Sequence, residues 1–278
     1  MEHIVGMMWN RNEGDILEEI IEAALTQVDS LFIADDGSTD DSWSCIQAIA
    51  QRRPDKIEYI RNERNHPVDR QRTPMLNEIR ARYKPENTWV QVIESDIMIL
   101  DTDIREALSK FAVHNIAMSW QCLNAVRLPG TWEGLDTYPN WKMPIKELMQ
   151  YQHRLEAMLY TFRPLPALYY DRRFWRPWPK GFSAYTNKPV KDPHKDPESP
   201  LLAHYGYRGP RHCWRKFNPD GAIPCIARNG VWNYSTIESV EKTMPFFNGG
   251  WNADAKQMNR YGWKKRKSFE RGESNVIS

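Results

Sequence analysis

The 278-residue chain lacks the patterns that mark several large classes of protein. No apolar run approaches the roughly 20 residues of a membrane-spanning helix, so we expect no membrane span. The N-terminus has no basic segment followed by a long apolar stretch, and we expect no signal peptide. The four cysteines stand apart without CxxC spacing, which favours reduced thiols over a disulfide framework. Together these absences predict a cytoplasmic protein.

Strong charge bias and phosphate-binding loops are also missing. The net charge is only +2, so global charge attracts no particular partner. Neither GxxxxGK(S/T) nor GxGxxG, the two common phosphate-cradling loops, occurs in the chain. A hydrophobic content of 41% and a charged content of 27% are typical of a soluble globular protein. The length allows one large domain, or one domain with an appendage.

The most informative stretch is LFIADDGSTDDSW, residues 31–43. Leu31–Ala34 reads as a short buried strand that runs into an acidic turn, and a second acidic pair opens a helix. Ligands of open α/β sheets bind beyond the carboxyl ends of the strands, where this turn would lie. The carboxylates of Asp35 and Asp36 can accept hydrogen bonds from a nucleobase or a ribose and would repel bare phosphate. The alternative is a solvated turn with a helix cap, for which Asp and Ser are common.

The flanking segments predict alternating strands and helices. Ile4–Met8 and Lys56–Arg61 read as strands, and residues 16–28 form one apolar stripe at helical spacing, with Asn12 as the helix cap. This order predicts a mostly parallel sheet with right-handed crossovers. Further along, apolar residues at helical spacing predict a long helix over Pro144–Phe162.

Two later stretches carry further candidate ligand groups. Arg70 and Arg72 belong to an arginine-rich turn before a helix predicted to start at Pro74, which suits a diphosphate; the alternative is an exposed basic loop. In WVQVIESDIMIL, residues 89–100, the acidic Glu94-Ser95-Asp96 interrupts an apolar strand. Buried carboxylates are costly unless they are paired or bound to a metal, and Mg²⁺ and Mn²⁺ prefer such oxygen ligands. The alternative is that Asp96 caps a strand end and Glu94 pairs with an arginine.

In this order the motifs resemble a glycosyltransferase of the GT-A fold, most closely the large family-two group. The resemblance rests on Asn12-Glu13, IADDGSTD at residues 33–40, Glu94-Ser95-Asp96 in place of the family's Asp-x-Asp, and HYGY at His204–Tyr207. It covers about the first 100 residues and extends loosely to Phe217. It implies an α/β, Rossmann-like, mostly parallel sheet flanked by helices, with an irregular C-terminal extension.

The resemblance also implies a division of the chain. Residues 1–217 would form the glycosyltransferase domain, with a donor-binding half over 1–100 and an acceptor half over 101–217. Residues 218–278 would form the C-terminal extension. The implied reaction is the metal-dependent transfer, with inversion, of a sugar from a nucleotide sugar, taken to be a UDP-sugar, to an acceptor hydroxyl.

The resemblance assigns roles residue by residue. Asp36, together with Asp35, would meet the base edge and Glu13 the ribose; the full donor-binding set is Asn12, Glu13, Asp35, Asp36, Arg70, Arg72, Glu94 and Ser95. Asp96 would be the main ligand of Mn²⁺ or Mg²⁺. His204 is a candidate further ligand, against the alternative of a structural histidine. Glu133 and Asp136 rank first as the catalytic base, ahead of Asp171.

The sequence departs from the family pattern at two places. Trp9 and Arg11 stand where members often have Pro and Tyr, which puts the base contacts there in doubt. Glu94 replaces the first Asp of the metal motif, and its extra methylene can shift it from metal ligand to ribose contact or to support of other ligands.

Two other functions remain as alternatives. A sugar-nucleotide nucleotidylyltransferase would need a glycine-rich basic loop after the first strand, where only Gly14 is present. A nucleic-acid-binding protein could use Trp251, Tyr261, Trp263 and the basic run Lys264–Lys267. The acceptor of a glycosyltransferase is left open as a glycan, a small molecule or a modified base in DNA.

Overall fold

The computed structural model describes residues 2–62, 68–100, 102–112, 115–126, 150–170, 179–184, 200–207, 226–227 and 230–231. The chain divides into two compact units, one made of residues 1–122 and 155–202 and the other of residues 123–154 and 203–278. The predicted domain boundary at residue 217 lies outside the described residues and stays a prediction. No helix among the described residues is long and apolar enough to cross a membrane.

Strands and helices alternate through the first 111 residues. The strands are β1 His3–Asn10, β2 Ser30–Asp35, β3 Ile57–Arg61, β4 Thr88–Glu94, β5 Ile97–Leu100, β6 Ala117–Val126, β7 Gln150–Phe162, β8 Leu201–Tyr207, β9 Ile226–Ala227 and β10 Gly230–Val231. The helices are α1 Leu17–Leu25, α2 Ser42–Arg52, α3 Val68–Arg82 and α4 Ile104–Phe111, with short 3-10 helices at Pro85–Asn87 and Phe182–Ala184.

The main sheet confirms the predicted α/β class. Its strand order is β3-β2-β1-β4-β7-β6-β8-β5, and β9 pairs with β10 in a separate two-stranded sheet. The pairs β1–β2, β2–β3 and β1–β4 are parallel, whereas β4–β7 is antiparallel. In this register Asn10 lies opposite Asp35, and Trp9 lies opposite Glu94. The carboxyl ends of β1, β2 and β4 therefore meet at one edge of the sheet.

The core of the first unit forms around β1, β2 and β4, which are buried almost throughout. Strands of this kind are covered by helices on both faces, which explains why they read as continuous apolar runs. The predicted stripe of α1 is confirmed, since the helix buries Leu17, Ile20, Ile21, Ala24 and Leu25. Gly6 admits the side chain of Leu31 close to β1, because a Cβ at Gly6 would lie 2.6 Å from Leu31 Cδ1.

Two helix starts differ from the prediction. The N-cap of α1 is Ile16, without a side-chain hydrogen bond, so the prediction of Asn12 as the cap is wrong. Asn12 instead has a φ of 55° and forms hydrogen bonds with Ser38 and Thr39 of the acidic turn. α3 begins at Val68 and not at Pro74, so this proline lies inside the helix.

The prediction of a helix over Pro144–Phe162 is wrong for its described part, because residues 150–162 form β7. Pairing between distant segments decides the structure here: Phe162 lies opposite Val90 in the antiparallel β4–β7 pair. Thr161 joins this pairing through its hydroxyl, which accepts from Trp120 Nε1 and donates to Gln91 Oε1, both at 2.6 Å. These tertiary contacts outweigh the helical spacing of the apolar residues.

Candidate functional site

The candidate site lies where β1, β2 and β4 end. In the strand order β3-β2-β1-β4, the chain adds β2 and β3 on one side of β1 and then β4 on the other side. Open α/β sheets bind ligands beyond the carboxyl ends of the strands at such a switch point. β2 ends at Asp35 and β4 ends at Glu94, on the two sides of β1. Both predicted acidic motifs are therefore brought to one edge of the sheet.

Asp35 is the internal anchor of the acidic turn. Its carboxylate has no exposed surface and accepts hydrogen bonds from Asn10 Nδ2 at 2.8 Å, Ser38 N at 3.1 Å and Ser38 Oγ at 2.5 Å. Arg61 adds a cation, with its Nε 3.6 Å from Asp35 Oδ2 and its Nη2 donating to the Ser38 carbonyl at 3.0 Å. The geometry thus places Asp35 in the wall of the site, and its predicted donor contact stays a prediction.

The loops after β1 and β2 are joined by polar contacts. Asn12 donates its backbone N–H to Ser38 Oγ at 2.9 Å and accepts from the Thr39 N–H through Oδ1 at 2.7 Å. The loop after β2 contains Gly37 with a φ of 61°, a conformation that glycine adopts without steric cost. The backbone N–H of Glu13 donates to Ser42 Oγ at 3.0 Å. Asn12 and Glu13 are therefore held directly against the acidic turn.

Asp36 differs from Asp35 in its surroundings. Its N–H donates to the Asn10 carbonyl at 2.9 Å, and its carboxylate lies 3.6 Å from Arg11 Nη1. The Arg11 side chain is 30% exposed, so the pair is open to solvent on the Arg11 side. A carboxylate that accepts beside a guanidinium that donates matches the neighbouring donor and acceptor groups of a nucleobase edge.

The segment predicted as one interrupted strand forms two strands with a turn between them. β4 ends at Glu94 and β5 starts at Ile97, so Ser95 and Asp96 form the turn. Glu94 is 8% exposed and Asp96 3% exposed. Charged groups this deeply buried need a partner or a ligand.

Glu94 has such a partner in Arg72. Arg72 Nη2 lies 3.5 Å from Glu94 Oε1, and the guanidinium carbon lies 3.6 Å from the centre of the Trp9 ring and 5.7 Å from that of Tyr170. Burial raises the pKa of Tyr170, which keeps its phenol neutral. The pairing of Glu94 with an arginine, one part of the alternative interpretation, is thus observed, whereas the capping role of Asp96 and the donor contact of Glu94 stay predictions. The direct role of Arg72 in donor binding stays a prediction.

The remaining predicted residues are placed less completely. Arg70 belongs to α3, but its side chain lies outside the described part of the structure. His204 is nearly buried on β8, in the second compact unit. Glu133 and Asp136, and with them Asp171, lie outside the described residues, so the choice of catalytic base stays a prediction.

Several residues of the site were missed by the sequence reasoning. Asn10 is fully buried and donates to Asp35 and to Ser38 Oγ, and its amide oxygen is buried without a hydrogen-bond partner among the described residues. The signal was present: an amide side chain at the end of the apolar run IVGMMW is out of place unless it has polar partners. Tyr170 gave no comparable signal, because aromatic residues are usual in a core, and Trp9 was noted only as a departure from the family pattern.

The carboxylates of the site fit a divalent cation that also binds a ligand. Among the described residues, no group of three His, Cys, Asp or Glu side chains could hold a metal ion. Mg²⁺ and ions like it are commonly held by one or two carboxylates together with substrate phosphates. Asp96 supplies a hard oxygen of this kind, so the donor set fits a cation whose coordination phosphate oxygens complete.

Comparison with known proteins gives one family match. The family model described as glycosyl transferase family 2 matches residues 7–164. No curated protein matches the chain. Similar solved structures include the mannosyltransferase PcManGT from Pyrobaculum calidifontis in complex with GDP-Man and Mn²⁺, at 17% identity and a TM-score of 0.35, covering 44% of this chain and 36% of that chain.

Two further structures show a similar degree of likeness. A putative glucose-1-phosphate thymidylyltransferase from Bacillus anthracis is 12% identical with a TM-score of 0.32, covering 44% of this chain and 55% of that chain. Glucosyl-3-phosphoglycerate synthase from Mycobacterium tuberculosis, in complex with phosphoglyceric acid, is 16% identical with a TM-score of 0.28, covering 44% of each chain. The match spans 36%, 55% and 44% of the three structures, less than two thirds of each.

Proposed function

The chain belongs to glycosyl transferase family 2, and we propose that it transfers a sugar from a nucleotide sugar to an acceptor hydroxyl. The observation that carries the proposal is the meeting of Asp36, Glu94 and Asp96 at the carboxyl ends of β2 and β4, beside β1. A nucleotide sugar offers N–H and O–H groups that carboxylates accept, and a diphosphate that needs a cation. In this proposal, Asp36 serves the first requirement and Asp96 the second.

In this proposal the two acidic motifs bind different parts of the donor. Asp36, beside Arg11, meets the base, and Glu13 with Asn12 meets the ribose. Glu94 and Ser95 lie nearer the diphosphate end. We take UDP as the nucleotide to test first, and the family resemblance supports this choice.

Asp96 would hold Mn²⁺ or Mg²⁺, with His204 as a proposed further ligand. When bound, the cation neutralises the charge that develops on the departing nucleoside diphosphate. The burial of Asp96 supports this role, because the low-dielectric surroundings strengthen its attraction for a cation.

The chemical step in this proposal is a direct displacement. A carboxylate base, Glu133 or Asp136, takes the proton of the acceptor hydroxyl. The acceptor oxygen forms its bond to the anomeric carbon while the bond from that carbon to the diphosphate breaks. Attack opposite the leaving group inverts the configuration. We assign the transferase to residues 1–217, with donor-binding and acceptor halves meeting near residue 100, and a C-terminal extension to residues 218–278.

The test is a panel of nucleotide sugars with UDP, GDP, ADP and CDP as leaving groups, each with and without Mn²⁺. Release of nucleoside diphosphate would be measured for the wild type and for Asp96→Asn. Asp103→Asn is the matched control, since it makes the same chemical change at the N-cap of α4, where asparagine caps equally well.

The proposal expects Mn²⁺-dependent turnover of one donor, lost in Asp96→Asn and kept in Asp103→Asn. Binding without turnover would point to a missing acceptor. If the folded wild type binds none of the donors, the proposed function is wrong, and the basic segment at residues 264–267 becomes the next candidate.

A further inference from the structure

Arg72 has no exposed surface and lies beside Glu94, the last residue of β4. A buried guanidinium is costly unless its surroundings compensate for the loss of water. Here the compensation is specific. Glu94 supplies the opposite charge at 3.5 Å, and the face of the Trp9 ring covers the guanidinium at 3.6 Å.

These contacts come from three separate elements. Trp9 lies on β1 and Glu94 on β4, and the two residues are register partners on neighbouring parallel strands. Register partners point to the same face of a sheet, so Arg72, arriving from α3, contacts both at once. Tyr170 adds a second aromatic ring at 5.7 Å. The last residue of β4 is thereby tied to the first strand and to α3.

We propose that Arg72 is a positioning residue that holds the Glu94 carboxylate in the orientation in which it meets the donor. The inference rests on the proposed function, because Glu94 meets a donor only if one binds at this edge of the sheet. Since Arg72 has no exposed surface, it acts through Glu94 and not by direct contact.

The chemistry of arginine suits this role. A guanidinium is planar, stacks on aromatic rings and points its N–H groups in fixed directions, whereas a lysine ammonium is a rotating point charge. Stacking on Trp9 fixes the plane of the guanidinium, and the plane fixes the direction from which Glu94 is held. Misplacing a group in an active site by about 1 Å can cost a factor of about 100 in rate, so such support matters even without ligand contact.

Arg163 provides a matched control within the same unit. It too is almost fully buried, with its guanidinium carbon 4.3 Å from the centre of the Trp89 ring and a glutamate partner, Glu2. Glu2 and Trp89 lie before β1 and at the beginning of β4, at the opposite ends of these strands from Glu94. Arg163 also donates to the backbone carbonyls of Pro85, Glu86 and Asn115, so it repeats the placement of a buried arginine on a tryptophan with a glutamate partner, held by more contacts and away from the candidate site.

The experiment is a double-mutant cycle on the full chain. Dissociation constants for UDP, GDP, ADP and CDP with Mn²⁺ would be measured by calorimetry for the wild type, Arg72→Met, Arg72→Lys, Glu94→Gln and Arg72→Met/Glu94→Gln. For the nucleotide bound most tightly, Arg72→Met should weaken binding at least tenfold, and Arg72→Lys should recover part of the loss. In the Glu94→Gln background, Arg72→Met should change binding less than twofold.

Arg163→Met should lower the melting temperature but leave binding within twofold of the wild type. The inference is refuted if Arg72→Met weakens binding equally in both backgrounds, if it leaves binding unchanged, or if Arg163→Met weakens binding as much. If Arg72→Met does not fold, Arg72→Lys and Arg72→Lys/Glu94→Gln complete the same cycle. If the wild type binds none of the four nucleotides, the proposed function fails and this inference fails with it; intact wild-type binding with unaffected Arg72 variants refutes the inference alone.

Discussion

The same substitution should affect different properties at the neighbouring aspartates Asp35 and Asp36, stability at the first and nucleotide binding at the second. Asp35 is buried and accepts three hydrogen bonds, from Asn10 Nδ2 and from the backbone and hydroxyl of Ser38. Asp36 lies beside the partly exposed Arg11 at 3.6 Å. We therefore expect Asp35→Asn to reduce stability and Asp36→Asn to reduce nucleotide binding.

The magnitude for Asp35 follows from its contacts. Oδ1 accepts from Asn10 and from the Ser38 hydroxyl, so an asparagine oxygen can keep these two bonds without the charge. The new amide group would replace Oδ2 and point its N–H groups at the donating N–H of Ser38. A hydrogen bond to a charged group contributes about 1.5–3 kcal/mol, so the loss of one and the weakening of two should lower the free energy of unfolding by about 2–4 kcal/mol.

The magnitude for Asp36 is smaller on the stability side. The Asp36 side chain is only 5% exposed, but its partner Arg11 is 30% exposed and 3.6 Å away. Asp36→Asn keeps the size of the side chain and removes the charge of this pair, so it should lower the free energy of unfolding by about 1 kcal/mol, less than the change at Asp35. Its carboxylate is the proposed acceptor for the base, and its loss should weaken binding of the cognate nucleoside diphosphate by about tenfold, which is about 1.4 kcal/mol.

The assay is urea unfolding of both variants, with titration of nucleoside diphosphate and Mn²⁺ into the folded proteins at 25 °C. The slope of the unfolding free energy against urea should not change, which would show that the same surface is exposed on unfolding. The reasoning is refuted if Asp35→Asn keeps wild-type stability while losing nucleotide binding, or if Asp36→Asn is the variant that unfolds.

Three further predictions concern residues away from the site. Asp103 caps α4 by accepting from two backbone N–H groups, so Asp103→Ala should lower the free energy of unfolding by about 1 kcal/mol in urea, whereas Asp103→Asn should recover most of it. Burial raises the pKa of Asp29. The hydrogen bond from the Ile4 N–H and the Arg105 guanidinium together lower it by more than burial raises it, so the pKa lies below its ordinary value. A depressed folded-state pKa stabilises the protein above the unfolded-state pKa, and this stability is lost as the pH falls through the folded-state value. Asp29→Asn should therefore show a shallower loss of stability below about pH 4 in acid titration. An unchanged profile would contradict this. Burial raises the pKa of Cys45 to about 11, so iodoacetamide at pH 8 should modify it more slowly than a free thiol, as mass spectrometry would show; rapid labelling would be the contrary result.

The first 60 residues were predictable because their structure follows local patterns. β1 and β2 appear as short apolar runs, and α1 as a stripe at helical spacing, so the alternation and the parallel sheet follow from the sequence. A short apolar run with a polar turn at each end is readily recognised in a sequence as a buried parallel strand. The acidic turn after β2 was located for the same reason.

β7 was not predictable, because its structure depends on a distant strand. Its sequence has apolar residues at helical spacing, and the antiparallel pairing of Phe162 with Val90 spans more than 70 positions of sequence. No local pattern contains that pairing. Strand preference is largely a matter of such neighbours, which only the folded chain supplies.

Within the site, the sequence located the carboxylates but not their roles. Asp35 and Asp36 are the same residue type side by side, so the sequence does not distinguish their roles. In the structure Asn10, 25 positions before Asp35, donates a hydrogen bond to Asp35 and holds it inside the turn. Likewise the sequence did not indicate that Arg72 lies against the Trp9 ring and beside Glu94; its predicted contact with the donor stays a prediction. Roles of this kind depend on side-chain partners that are far apart in the chain.

The most direct test of the account is a crystal structure of the chain with UDP and Mn²⁺, using anomalous scattering to locate the metal. We expect a manganese peak coordinated by Asp96 and the diphosphate, with the base against Asp36 and with Glu94 still paired to Arg72. A nucleotide bound elsewhere, or a manganese ion without contact to Asp96, would contradict it.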